Sequence, residues 1–200
     1  MFGKLVLVSV IAYFLGNFAT SYLVSKVAAK IDIREYGSGN AGSTNVLRVL
    51  GAKAAAVAFL GDVLKGIAAV LIGRYIAGNY GEVFAAVFAV IGHNWPIVLK
   101  GKGGKGIATT IGIAIPIDPI MVVIIVITGV IVITLTRYVS LASISGVTIF
   151  PIAMIITQKP IEYIIMSLIL AFMALYRHKS NIKKLLNGTE SKIGQKVKRT

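Results

Sequence analysis

Long apolar runs separated by short polar segments set the pattern of this chain. Seven can be marked: Phe2–Val24, Ala52–Ile76, Phe84–Leu99, Ile107–Pro116, Pro119–Leu135, Leu141–Thr157 and Ile161–Tyr176. At about 1.5 Å per residue, a helix as long as the first run covers the roughly 30 Å hydrocarbon core of a bilayer. A signal peptide is the alternative for that run, but it is too long for such a core and no A-x-A cleavage site follows. The fourth run is too short to cross fully unless the bilayer thins or the helix sits inside a bundle. The expectation is an all-α, polytopic transmembrane helix bundle of about seven helices. Residues 1–188 form its single domain, and 189–200 a basic tail that follows what reads as a short surface helix ending at Asn187-Gly188.

Composition supports a membrane setting. Of the 200 residues 56% are hydrophobic and 14% charged, with a mean hydropathy of +0.86. A net charge of +14 would suggest nucleic acid in a soluble protein; here it bears first on orientation. With the N-terminus outside, alternate crossings place Lys26, Lys30, Arg34, Arg48, Lys53, Lys100, Lys102, Lys105, Arg137 and the tail on the cytoplasmic side. The opposite side receives Lys4, Arg74 and Lys159 with Glu82, Asp118 and Glu162. That asymmetry follows the positive-inside rule. No cysteine is present, so there is neither a disulfide framework nor thiol chemistry.

The map brings four polar segments to one face. Tyr36–Arg48 packs Gly37, Gly39 and Gly42 among Ser38, Asn40, Ser43, Thr44 and Asn45 and ends on Arg48. Glycines allow close backbone approach, hydroxyls and amides donate, and arginine offers a forked cation, a combination suited to phosphate. The plain alternative is a solvated turn and an N-cap at Thr44 or Asn45. Lys100–Gly106 is a second, cationic glycine loop, and the helix after it would aim its N-terminal amides at an anion. Arg137, Tyr138, Ser140 and Ser143 form the third segment, and the stretch around His178 the fourth. Within the second run Asp62 and Lys65 stand three apart on one helix face, either as a structural ion pair or as part of a site. His93, beside Trp95, reads as structural.

Several familiar patterns fail. Gly37–Gly42 fits G-x-G-x-x-G with Asp62 twenty residues on, but no strand precedes it. The Gly101–Gly106 loop lacks the Walker A spacing, and Gly106 stands where Ser or Thr belongs. There is no G-x-S-x-G elbow, and neither histidine has an aspartate five positions later. Two histidines do not build a multi-imidazole metal site. Three aspartates, Asp32, Asp62 and Asp118, lack the clustering of the CDP-alcohol phosphotransferases. A transporter of phosphate-bearing anions stays open, since intramembrane charge also marks transport pathways.

Three segments carry a resemblance: Gly37-Ser-Gly-Asn-Ala-Gly-Ser-Thr-Asn45, Gly103-Gly-Lys-Gly-Ile-Ala-Thr109 and Arg177-His-Lys-Ser-Asn-Ile-Lys-Lys-Leu-Leu-Asn-Gly-Thr-Glu190. Together they resemble the signature motifs of the acyl-phosphate:glycerol-3-phosphate acyltransferases, the PlsY family. Asp62-Val-Leu-Lys-Gly66 and Arg137–Ser143 are similar to two weaker blocks. The resemblance implies an integral enzyme of the bacterial inner membrane whose active site faces the cytoplasm. Such an enzyme moves a fatty acyl group from acyl phosphate to the sn-1 hydroxyl of glycerol 3-phosphate, giving lysophosphatidic acid and phosphate. Its partners are those two substrates and the lipid bilayer; no nucleic acid, cofactor or metal is implied, and the oligomeric state is open, a monomer being sufficient.

On this reading Ser38, Gly39, Asn40, Gly42, Ser43, Thr44 and Asn45 cradle a phosphate, with Arg48 and Ser140 nearby. Lys105 and the amides of Gly103 and Gly104 neutralise charge on the leaving phosphate or oxyanion. Ser143, His178 and Asn181 hold glycerol 3-phosphate. Asp62, Lys65, His93 and Arg137 support them. The hydroxyl proton goes either to His178 or to a substrate phosphate oxygen.

Overall fold

The computed structural model describes residues 1–195; the last five residues of the expected basic tail lie outside them. Among the described residues the regular structure is entirely helical: α1 (Phe2–Asn17), α2 (Thr20–Ala29), α3 (Ser43–Leu50), α4 (Ala52–Asn94), α5 (Ile107–Ile117), α6 (Pro119–Thr136), α7 (Val139–Ile156), α8 (Ile161–Arg177) and α9 (Lys179–Leu186). Single 3-10 turns at Ile33–Glu35 and Ile97–Leu99 shape the two long loops. Among the described residues four stretches are long and apolar enough to cross a membrane: Phe2–Ala29, Ala52–Leu99, Pro119–Thr136 and Val139–Ile156. A fifth appears if α8 and α9, bent by 60° at their junction, are taken together, and α5 is a shorter apolar helix.

Two boundaries differ from the sequence reading. The first run continues to Ala29 but breaks at Phe18, with no proline or glycine at the break. The cause is tertiary. Asn17 Oδ1 accepts the Ile97 amide at 2.6 Å, and Lys65 takes the Phe18 carbonyl at 2.8 Å, so this turn serves other elements instead of its own helix. The second and third runs are two arms of α4. Ala77 and Gly78 leave helical geometry there, and the chain doubles back. A Cβ on Gly73 would lie 2.3 Å from the Gly81 carbonyl, a contact that residues eight apart on a straight helix could not make.

The helix ends sort into two groups. Arg74 donates to the Pro116 carbonyl at 2.7 Å, Lys159 pairs with Asp118 at 2.5 Å and Tyr163 donates to the buried Glu82 at 2.7 Å. These contacts gather the α4 turn and the α5–α6 and α7–α8 joints at one end of the bundle. Both glycine-rich loops, the α6–α7 joint and α9 meet at the other. Between them Val70, Val90, Ile113, Met121, Phe150 and Met166 form the main core. Close backbone approach fixes α5 against α4: a Cβ on Gly112 would fall 2.1 Å from the Val63 carbonyl. Tight contact through small residues is how apolar helices gain packing energy where lipid offers no hydrophobic drive.

Candidate active site

The first loop is folded by its own side chains. Asp32 accepts the Arg34 amide at 3.0 Å and pairs with its guanidinium at 2.6 Å, and Arg34 reaches across to the Leu99 carbonyl at 3.1 Å. Gly37 turns with φ +61°, and a Cβ there would come within 2.3 Å of Asn45 Oδ1. Asn45 is buried and spent: its amide nitrogen serves the carbonyls of Ile33, Tyr36 and Asn40 at 3.0, 2.9 and 3.1 Å, and its oxygen accepts the Ser38 amide at 2.9 Å. It therefore staples the loop, where the sequence reading had it hold phosphate directly. α3 then starts at Ser43, with Gly42 as N-cap.

The second loop is pinned from both sides. The amides of Gly103 and Gly104 donate to the carbonyls of Asn94 and His93 at 3.3 and 3.1 Å. Their own carbonyls accept from Arg177 at 2.9 and 3.0 Å. Those two amides, expected to neutralise an anion, are thus committed to the fold, and Lys105 is the charged group that the loop turns toward the cavity. A Cβ on Gly104 would lie 2.1 Å from His93 Nε2, so only glycine lets the loop sit on that ring.

Lys105 then hydrogen-bonds Asn181 Oδ1. Asn181 passes a hydrogen bond to Glu190 at 2.8 Å, Ser140 donates to the same carboxylate oxygen at 2.8 Å, and Arg48 stands 4.0 Å from it. Glu190 and Arg177 were missing from the sequence-derived site, although both lie in the third motif, and Glu190 is one of only seven acids in the chain. Arg137 stays outside the cavity. Its carbonyl accepts the Ile193 amide at 2.8 Å and its guanidinium reaches the Ile193 carbonyl at 3.5 Å, which holds the segment bearing Glu190.

These groups surround a cavity of about 280 Å³ lined by Ser38, Asn40, Gly42, Ser43, Thr44, Asn45, Arg48, Lys105, Ser140, Ser143, His178, Asn181 and Glu190, with Asp62 and His93 reaching it from α4. The starts of α3, α5 and α9 all border it, so three helix N-termini add partial positive charge to that of Arg48 and Lys105. A second cavity of about 390 Å³ adjoins it, sharing Ser38, Asn40, Lys105 and Asn181 and adding Gly39, Lys102, Arg177, Lys179 and Lys184. On the other side the first cavity shares Phe59, Ile107, Val139 and Ser143 with an apolar groove of about 230 Å³ along α5, α6 and α7.

Beneath lies a buried cluster. Asp62 Oδ1 accepts from Thr20 at 2.5 Å and from Lys65 at 2.7 Å, and Lys65 also donates to His93 Nδ1 at 2.9 Å. The expected pairing of Asp62 with Lys65 is therefore present, and with His93 it joins α2 to both arms of α4. Among the described residues no three His, Cys, Asp or Glu side chains are grouped so as to hold a metal ion.

Lys105 and His178 titrate away from their usual range. Burial, reinforced by Arg48, Arg177 and Lys184 and opposed by Glu190, brings the Lys105 ammonium down to about 8. Burial and the charge on Lys105 push His178 down to about 4. Its Nδ1 lies 2.7 Å from the Ala174 carbonyl, which can only accept, so the neutral ring carries its free lone pair on Nε2.

Fold and site together define an integral membrane protein whose cationic chamber adjoins an apolar groove. Comparison with known proteins narrows the class. The profile of the family described as glycerol-3-phosphate acyltransferase matches residues 6–188. The glycerol-3-phosphate acyltransferase of Thermoanaerobacter pseudethanolicus is 54% identical over 96% of this chain and 97% of its own. That of Alkaliphilus metalliredigens is 50% identical over 98% and 99%. Crystal structures of PlsY, an integral membrane glycerol 3-phosphate acyltransferase, superimpose in the glycerol 3-phosphate form with a TM-score of 0.91 at 32% identity, covering 95% of this chain and 96% of that one. The lysophosphatidic acid form gives 0.89 at 31%, covering 95% of each. This chain belongs to the glycerol-3-phosphate acyltransferase family and has the PlsY membrane fold. The transport alternative is not favoured by that membership.

Proposed function

We propose that the chain uses an acyl phosphate as donor and transfers its acyl group to the sn-1 hydroxyl of glycerol 3-phosphate at the cytoplasmic face of the bacterial inner membrane. The observation that carries this reading is the junction at Ser143, where a cationic chamber meets an apolar groove, because an acyl phosphate is a phosphate joined to an apolar chain. Two adjoining cavities that share Lys105 suit a reaction with a phosphate on each substrate. The PlsY structures in glycerol 3-phosphate and lysophosphatidic acid forms support the acceptor and product.

In this scheme the hydroxyl oxygen attacks the acyl carbon, the bond from that carbon to the phosphate oxygen breaks, and the hydroxyl proton ends on the departing phosphate. His178 is a weak base at about 4, so its Nε2 lone pair positions the acceptor by taking a hydrogen bond from the other hydroxyl of glycerol 3-phosphate, and a phosphate oxygen removes the proton of the attacking one. Lys105 offsets charge on the phosphate as it leaves. The anhydride is already activated, so no covalent intermediate on the protein is needed. Ser143, whose hydroxyl donates to the Val139 carbonyl at 2.9 Å, keeps lone pairs for the acceptor. The crossing pattern in this reading is seven passes with the N-terminus outside; it rests on the doubled-back α4, on α5 as a short pass within the bundle and on the positive charge gathered at the site end.

The test is phosphate and lysophosphatidic acid formation by purified protein given glycerol 3-phosphate with palmitoyl phosphate, and in parallel with palmitoyl-CoA. Turnover with the acyl phosphate alone, lost in Lys105→Ala, is expected; turnover with the thioester alone would overturn the donor. In the same assay His178→Gln should raise KM for glycerol 3-phosphate about tenfold with kcat within about threefold, as loss of one hydrogen bond implies. A fall in kcat beyond about a hundredfold would make His178 the base.

A further inference from the structure

We infer that Gly129, which lines the apolar groove together with Gly146, is the residue that lets long acyl chains pass and so sets the chain length accepted. This rests on the reading of that groove as the place of the donor's tail.

Several observations carry it. The groove adjoins the polar chamber, sharing Phe59, Ile107, Val139 and Ser143 with it, so a chain bonded to a group reacting there has an apolar path along it. Gly146 lies one helical turn beyond Ser143 on α7, about 4.5 Å along the axis, so the tail meets this point within its first few carbons. Gly129 lines the same groove from α6, four residues before Ile133. A Cβ added at Gly129 would meet nothing within 4 Å, whereas one at Gly146 would come 3.2 Å from Ile125 Cγ2. The space beside Gly129 is therefore a real gap in the groove wall and not a packing requirement. Every other α6 residue lining it, Ile125, Val126, Val130 and Ile133, is β-branched. Glycine in the interior of an apolar helix costs about 1 kcal/mol of propensity relative to alanine, and no positive φ, turn or backbone contact at this position offsets that cost. A passing alkyl chain does.

The test is Gly129→Leu, assayed with butyryl, hexanoyl, decanoyl and palmitoyl phosphates, and for product inhibition by lysophosphatidic acids of the same chain lengths. Filling the gap should lower kcat/KM for the palmitoyl donor by at least about tenfold, the scale of a misfit methylene in an apolar pocket, with the butyryl donor within about threefold of the unaltered protein. Inhibition by palmitoyl lysophosphatidic acid should weaken in step, a readout that does not depend on which donor the enzyme uses. An equal loss at all lengths, or no change at any, would overturn the inference. Gly129→Ala and Ile131→Leu, the latter on the lipid-facing side of α6, serve as the graded variant and the control; if Gly129→Leu does not fold, a palmitoyl-selective loss in Gly129→Ala decides the matter. Failure of the unaltered protein to use any acyl phosphate would remove the donor reading, while the inhibition series would still report on the groove.

Discussion

Lys105 borders both polar cavities, and its charge changes near neutral pH. Its ammonium, at about 8 in the free protein, is cationic below that value and neutral above it. Because kcat/KM reports the free enzyme, it should fall as pH rises through about 8. The kcat profile should hold to higher pH, since bound phosphate favours the charged form. Glu190 supports that charge, so Glu190→Gln should move the alkaline limb of kcat/KM to lower pH. A limb that stays where it was would separate Glu190 from Lys105. Glu190 was hard to find by reading residues because its part depends on Ser140 and Arg48, from two distant segments, converging with Asn181 on one carboxylate. The composition of the first loop suggested donors for an anion, yet Asn45 and the amides of Gly103 and Gly104 spend their hydrogen bonds within the loops. Whether an amide faces inward or outward is decided by the turn, which residue identity alone does not specify.

At the scale of elements, the fit of α5 against α4 decides where the Lys105 loop sits. Alanine at Gly112 gains about 1 kcal/mol of helix propensity, but its Cβ would meet backbone, the Val63 carbonyl at 2.1 Å, which cannot rotate away. Overpacking of this kind costs about 1–3 kcal/mol, so the clash should win. We expect Gly112→Ala to melt several degrees lower in detergent and to lose activity, while Gly3→Ala, where nothing lies within 4 Å, should not. Equal melting of the two would show that the helices part without cost. Run lengths made most helices legible, from Ile107–Pro116 for α5 to Ile161–Tyr176 for α8. The break at Phe18 was not, because it is made by Lys65 and by the Ile97 amide from far along the chain. The reversal at Gly78 was legible only as a gap between two runs.

For the whole molecule, the charge asymmetry read from the sequence coincides with the two ends defined by geometry, and the lack of cysteine makes sidedness easy to test. Tyr75, 91% exposed near the α4 turn, and Lys53, exposed at the site end, are suitable single positions. Tyr75→Cys should react with an impermeant maleimide on intact cells, and Lys53→Cys only after the membrane is opened. The reverse pattern would invert the proposed orientation and place the site outside.

The groove beside Gly129 also determines how concentration is to be counted. Val126 and Val130, on its wall, remain 43% and 55% exposed, so the groove lies open sideways. In the proposed reaction one substrate therefore arrives by diffusion in a plane and the other from a volume. For the first, molarity loses its meaning: what the enzyme senses is the number of donor molecules per lipid, and inert lipid added at constant bulk concentration dilutes it as surely as water dilutes glycerol 3-phosphate.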